Sequence, residues 1–103
     1  MYVQSRMSLR FVWNPIKASA NLSKHGVSFE LAMRVFSDPL AFSHPDRIEG
    51  GEQRWQTLGM ADGVLLLLVA HTVTDHDDGE MIRIISARMA TRKERHDYEQ
   101  ENS

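Results

Sequence analysis

Lys24, His25, Glu52, Arg54, His71, Arg83 and Arg88 are the side chains in this sequence whose types could do chemistry. Cleaving RNA without a metal needs a group that takes the 2′-OH proton. It also needs cations that hold charge on the phosphate, and a donor for the leaving oxygen. Arginine suits the second task, because its planar fork grips phosphate through two hydrogen bonds. Composition does not show whether these groups converge. Each has a plainer reading. Lys24 and His25 close a helix, where positive charge complements the macrodipole. Arg54 could pair with an acid across strands. His71 continues an apolar strand and could be a hydrogen-bonded core residue. Arg83 and Arg88 could simply hold the last helix. Arg92, Lys93 and Arg95 fit a solvated face, and Trp13 and Trp55 fit core anchors, although Trp55 could also stack a base.

Other chemistries find less support. His71 and His76 are five residues apart across a strand end and would not share a face. The stretch Asp75-His76-Asp77-Asp78-Gly79 lacks the twelfth-position glutamate of a calcium loop and reads as a turn. No glycine-rich phosphate loop or nucleophile elbow is present. No cofactor is implied.

The elements that must position these groups centre on a hairpin over residues 64–88. Val64-Leu65-Leu66-Leu67-Leu68-Val69-Ala70 is the one long apolar run. It is far short of the about 20 residues that cross a bilayer, and it predicts a central strand buried on both faces. After the acidic turn, residues 81–88 return as a strand, with Ile82, Ile84 and Ser86 on one side and Arg83, Ile85 and Ala87 on the other. Upstream, residues 9–13 predict a strand. Asn14 and Pro15 open a helix that Gly26 closes. Ser28 caps a second helix over 29–37, which Asp38-Pro39 ends. Residues 40–44 and 53–59 predict two further strands, with 45–51 as a loop between them. Thr91 and Glu94 form a capping box for a final helix. Residues 1–8 predict a loose extension. Short connections favour an α+β domain, with the helix pair packed on an antiparallel meander.

At 103 residues the chain has room for one core, and 42% hydrophobic with 25% charged residues suits a globular chain. The first ten residues lack the apolar core of a signal peptide. The absence of cysteine excludes disulfides and thiolate zinc sites and agrees with a cytoplasmic protein. A net charge of −2 does not advertise a nucleic-acid binder. The charge is uneven, however: residues 38–80 hold nine acids against two arginines, and residues 81–103 hold five basic residues against four acids. A local basic patch is what a phosphate feels.

Several stretches go beyond composition. Phe11-Val12-Trp13-Asn14-Pro15-Ile16-Lys17-Ala18, Asn21-Leu22-Ser23-Lys24-His25-Gly26-Val27-Ser28-Phe29 and Val35-Phe36-Ser37-Asp38-Pro39 resemble the BrnT toxin family. So do Val69-Ala70-His71-Thr72 and Ile82-Arg83-Ile84-Ile85-Ser86-Ala87-Arg88, with Arg54, Leu58-Gly59, Glu94-Arg95 and Tyr98. The resemblance implies the toxin of a type II toxin–antitoxin module: a single toxin domain over residues 1–103, RelE-like in fold, with order β-α-α-β-β-β-β-α. It implies a metal-independent endoribonuclease that inhibits translation. The implied partner is a BrnA-type ribbon-helix-helix antitoxin in a heterotetramer, with DNA reached only through the antitoxin and no membrane. On this reading Arg54, Arg83 and Arg88 stabilise the phosphate, His25 or His71 carries a proton, Glu52 is a candidate base, and Lys24, His25, Arg92 and Lys93 bind RNA. Two alternatives stand beside it: a catalytically weak or silent homologue that only binds its antitoxin and adjusts repression, and a metal-dependent nuclease, which needs a carboxylate cluster on one face.

Overall fold

The structure, a computed structural model, describes residues 8–103. The extension expected over residues 1–8 lies outside them, apart from the backbone of Ser8. The elements run β1 (Ser8–Val12), α1 (Pro15–His25), α2 (Phe29–Met33), a 3-10 turn (Arg34–Ser37), β2 (Phe42–Glu49), β3 (Glu52–Ala61), β4 (Leu65–His76), β5 (Gly79–Met89) and α3 (Arg92–Glu101). The five strands form one sheet in the order β1-β5-β4-β3-β2. Strands β2 to β5 pair antiparallel, but β1 lies parallel to β5, with Phe11 beside Ile82. The sheet is therefore mixed, not purely antiparallel. The helices are also not all N-terminal: α1 and α2 precede the meander and α3 follows it.

The leucine run explains the layering. Along β4, Leu67 and Val69 join Val27, Phe29, Ala32, Val35, Ile82, Ile84 and Ala87 in a core beneath α1 and α2. The intervening Leu66 and Leu68 join Leu58 and Tyr98 in a smaller cluster beneath α3. A strand covered on both sides has no use for polar alternation.

One correction concerns β5. Its register against β4 shifts between Ala70 and His71: Ser86 faces Ala70, Ile84 faces His71, and Ile85 faces no residue. This bulge inserts a residue and reverses the side-chain alternation beyond it. Ile82, Ile84 and Ala87 thus share the α1/α2 face, and Ala87 is not on the side of Arg83. Without the bulge, Arg88 would point at α1. With it, Arg88 lies opposite Leu68 on the α3 face.

The caps form as their chemistry dictates. The Asn14 side chain accepts from the N–H groups of Ile16 and Lys17, and Gly26 ends α1 in the left-handed region at φ 71°. Ser28 caps α2, whose α geometry stops at Met33 and tightens into the 3-10 turn. The single helix expected over 29–37 is therefore two short pieces, and Asp38 is extended, as a residue before proline should be. Thr91 and Glu94 form both hydrogen bonds of the capping box. The loop expected over 45–51 is mostly strand: β2 continues through an irregularity between Pro45 and Ile48 to Glu49, and only Gly50 and Gly51 turn. Proline is tolerated there because β2 is an edge strand.

The exposed backbone edge of β5 above β1 is closed by a side chain. Asn21, buried on α1, accepts from the Ala87 N–H at 3.1 Å and donates to the Ala87 carbonyl at 2.9 Å, as a neighbouring strand would. It also donates to the Val27 carbonyl at 2.9 Å.

Candidate functional site

The sheet sorts the expected residues by face. Trp55 and His71 are register partners on the α1/α2 side. Arg54, one residue away, points to the other side together with Gln56 and Leu58, because strand side chains alternate. Arg83 pairs with Thr72 on that same side. Arg54 and Arg83 therefore flank β4, with main chains roughly 10 Å apart.

The tip of the β2–β3 hairpin sits beside them. Glu49 and Glu52 are register partners across the Gly50-Gly51 turn. Glu52 forms an ion pair with Arg83. Glu49 Oε2 lies 3.2 Å from Arg54 Nη2, and Glu49 Oε1 accepts from Arg47 Nε at 2.8 Å. The side chain of Arg54 is 18% exposed, and its Nε is buried with no hydrogen-bond acceptor among the described residues. Glu49 is held below the usual carboxylate range by Arg47 first, then by the charges of Arg54 and Lys17. The group brought together is thus Arg54, Arg83 and Glu52, joined by Glu49 and Arg47. Sequence reasoning missed Glu49 and Arg47. A signal was present: an acidic and a basic residue two apart before a Gly-Gly turn share one strand face if the strand runs that far.

Arg88 does not join them. Four steps along β4 separate Leu68, its partner, from Thr72, a distance of roughly 13 Å. Its two terminal nitrogens donate to both Glu94 oxygens at 2.9 Å, and Nη1 also reaches the Met89 carbonyl at 3.2 Å. The same Glu94 accepts from the Thr91 N–H in the capping box. Arg88 thus ties the end of β5 to the first turn of α3, and its hydrogen bonds lower the Glu94 pKa against the opposing effect of burial.

His71 sits on the opposite face from the arginines and is 2% exposed. Its Nε2 is 2.7 Å from Thr57 Oγ1, which is 2.6 Å from Ser43 Oγ, and its ring meets Phe36 edge-on at 4.9 Å. Burial pushes its pKa down to about 4, against a smaller opposing effect of the Thr72 carbonyl. A neutral ring in the core beneath α2 cannot reach a phosphate held by Arg54 and Arg83. The expectation of His71 as proton carrier therefore gives way to the hydrogen-bonded core histidine.

Lys24 and His25 end α1 and, with Lys17, Asn21, Ile85 and Ser86, line a shallow open pocket of about 230 Å³ beside β5. Arg92 and Lys93 are exposed on the first turn of α3, and Lys93 pairs with Asp97 at 3.2 Å. Lys93 faces Gln56 and His44 across a second shallow pocket, so it shares the arginine face of the sheet. Among the described residues no group of three or more His, Cys, Asp or Glu side chains is placed to hold a metal ion, and no helix is long and apolar enough to cross a membrane.

A second polar knot was not anticipated. Asp38 accepts from the N–H groups of Leu40 and Met60 at 2.9 and 2.8 Å, and from the Tyr98 hydroxyl at 2.7 Å. Burial would raise its pKa, but these three donors outweigh it and the net shift is downward. Tyr98, buried beside this carboxylate, is pushed up to about 12. The knot pins α3 to the edge of β3 and fixes the far boundary of the arginine face. Gly59 permits it: a Cβ there would lie 2.7 Å from Ala41 Cβ and 2.9 Å from Val35 Cγ1.

Residues 13–94 match the family described as the ribonuclease toxin BrnT of type II toxin–antitoxin systems. The chain belongs to the BrnT family. Among solved structures, the BrnT ribonuclease toxin of Brucella abortus superposes with a TM-score of 0.62 at 21% sequence identity, covering 82% of this chain and 100% of that one. This likeness shows that the two share a fold. Among curated proteins none matches the chain. Membership in the BrnT family of type II toxins implies an antitoxin partner. Arg54, Arg83, Arg88, His71 and Glu52 all fall inside the matched stretch, as do Lys24, His25, Arg92 and Lys93.

Proposed function

We infer that this chain is the endoribonuclease toxin of its module, acting on RNA through the face that holds Arg54 and Arg83. The observation that carries the reading is the pair of guanidinium groups flanking β4, each held by a carboxylate that a phosphate can replace. On this reading Arg54 and Arg83 bind the scissile phosphate and the charge that grows on it. Glu52, beside Arg83, takes the 2′-OH proton, the oxygen attacks phosphorus as the bond to the 5′-oxygen breaks, and a proton from solvent water converts that leaving oxygen to a 5′-OH, with a 2′,3′-cyclic phosphate left behind. Lys24, His25, Arg92 and Lys93 extend the contact along the RNA backbone, and Arg88 acts by holding α3. The reaction is metal-independent, and the outcome is inhibited translation in the cytoplasm. The whole chain acts as one RelE-like toxin domain. Its antitoxin is a BrnA-type ribbon-helix-helix protein that forms a heterotetramer with it, touches DNA and represses the module.

The test is cleavage of a generic RNA with EDTA present, by the wild type and by Arg54→Ala and Arg83→Ala. Expected are a wild-type rate unaffected by the chelator and losses of at least about 100-fold in both variants, the scale set by removal of one charge-stabilising donor. An unchanged rate in both variants would remove the arginine face from the mechanism. A second reading has its own support. Arg54, Arg83 and Arg88 are all already engaged with carboxylates, as in a catalytically silent homologue kept for antitoxin binding and repression. That reading predicts co-purification with the antitoxin and no RNA cleavage by any variant.

A further inference from the structure

Glu49 occupies a position where cations converge from separate elements. One carboxylate oxygen takes the Arg47 Nε hydrogen, and the other lies 3.2 Å from Arg54 Nη2. Arg54 comes from β3 and Arg47 from β2, so the two cations do not share an element. The guanidinium of Arg54 still has a buried Nε without an acceptor among the described residues. Glu49 approaches only the terminal Nη2 and leaves that group unmatched. Glu49 also borders the hairpin turn. It is the last residue of β2, immediately before Gly50 and Gly51, both at positive φ. Its side chain is 48% exposed and needs little desolvation to leave.

We propose that Glu49 is a tethered stand-in for a phosphate, occupying an anion site formed by Arg54 and Arg47, so that the RNA-binding face blocks itself until a polyanion displaces the carboxylate. The inference rests on the ribonuclease reading for the identity of the displacing ligand, an RNA backbone segment. Glu52 stands opposite Glu49 in register and holds Arg83 in the same way. Neighbouring strand positions are about 5 Å apart, close to the step between adjacent phosphates, so the hairpin tip presents two negative groups in series. A chain with two consecutive phosphates replaces both contacts at once, and a mononucleotide replaces one. Displaced from Arg54 and Arg47, the half-exposed Glu49 carboxylate turns to water and is not left as a buried unpaired charge. The site therefore selects oligonucleotides over mononucleotides, and Arg47 belongs to it.

The experiment compares wild type, Glu49→Gln and Glu30→Gln for binding of a fluorescent 2′-O-methyl oligonucleotide, which lacks the attacking hydroxyl, and of inorganic pyrophosphate. Glu30, exposed at the start of α2, controls for the change in net charge. Exposed ion pairs of this kind set the expected scale: Glu49→Gln binds both probes about 2- to 5-fold more tightly than wild type. Glu30→Gln changes binding by less than half of that. In the amide and guanidinium NMR spectrum, the Arg54 Nε signal shifts on adding pyrophosphate, at lower concentration in Glu49→Gln than in wild type. Binding by Glu49→Gln equal to that of Glu30→Gln, or no binding of either probe by any protein, overturns the proposal. Tighter binding by Glu49→Gln without cleavage of an ordinary RNA by any protein leaves the Glu49 assignment standing and removes the ribonuclease reading. Wild-type RNA cleavage with no effect of Glu49→Gln on either probe does the reverse.

Discussion

The two faces of the sheet use the same strands for opposite ends. On the α1/α2 face the middle of β4 is covered: Leu67 and Val69 pack under Phe29, Ala32 and Val35, and the polar His71 is buried with its own hydrogen-bond partner. On the other face, α3 covers only one end, over Leu58, Leu66 and Leu68. Beyond it the same strands carry Arg54, Thr72 and Arg83, closed by a charged hairpin tip in place of an apolar layer. A burial made of methyl groups resists exchange, because water offers them nothing. A cover made of ion pairs exchanges readily, because water or another anion offers nearly as much. Stability resides on the first face, and recognition is available on the second.

The contrast can be broken at its strongest point by Phe29→Ala. This residue is fully buried and stacks edge-on with Trp13 at 6.0 Å. The expected loss is about 3–5 kcal/mol in denaturant unfolding, whereas removing Glu49 or Glu52 on the other face should leave the midpoint nearly unchanged. The next effect belongs to His71. Its folded pKa of about 4 lies below the ordinary 6.5, so between these values the unfolded chain binds more protons than the folded one. Stability is then full above pH 6.5 and falls as the pH drops toward 4, by roughly 3 kcal/mol. A His71→Gln variant should be less stable at neutral pH and lose the slope in that window; an unaltered slope would place its origin in other groups. Asp38, whose pKa is lowered, acts at more acidic pH, where its stabilisation is lost as the carboxylate protonates.

The smallest expected effect sharpens the boundary between the faces. Arg88→Ala removes both hydrogen bonds to Glu94 at the rim of α3. With Arg88 38% exposed, the cost should be only about 1 kcal/mol, seen as faster amide exchange in the first turn of α3. A large loss of RNA cleavage without that local loosening would instead return Arg88 to direct phosphate contact.

What could be read from the sequence was what acts over short distances. Asn14 with Pro15, Gly26, Ser28, and Thr91 with Glu94 each satisfy backbone groups within four residues, so their types announce them. The leucine run likewise declares a strand with two covered faces. The bulge at Ile85 gave no such sign, because an inserted residue is defined by the partner strand and not by its own chemistry. For the same reason alternation assigned Ala87 to the wrong side. The three arginines were recognisable as types, but their sorting was not. Arg54 and Arg83 meet only because β3 and β5 flank β4, and Arg88 stands apart because of its distance along that strand. Glu49 and Arg47 were hidden by the expectation of a loop, since a proline in an edge strand resembles a strand end. The network at Asp38 joins residues up to 60 positions apart, beyond the reach of any local pattern.

The amide of Asn21 has a consequence for solubility. An open strand edge invites another molecule to add a strand, the first step of many aggregates. By meeting both polar groups of Ala87, this one side chain leaves no template there for an intruding chain, and α1 becomes a guard rail along a border where the sheet would otherwise keep growing.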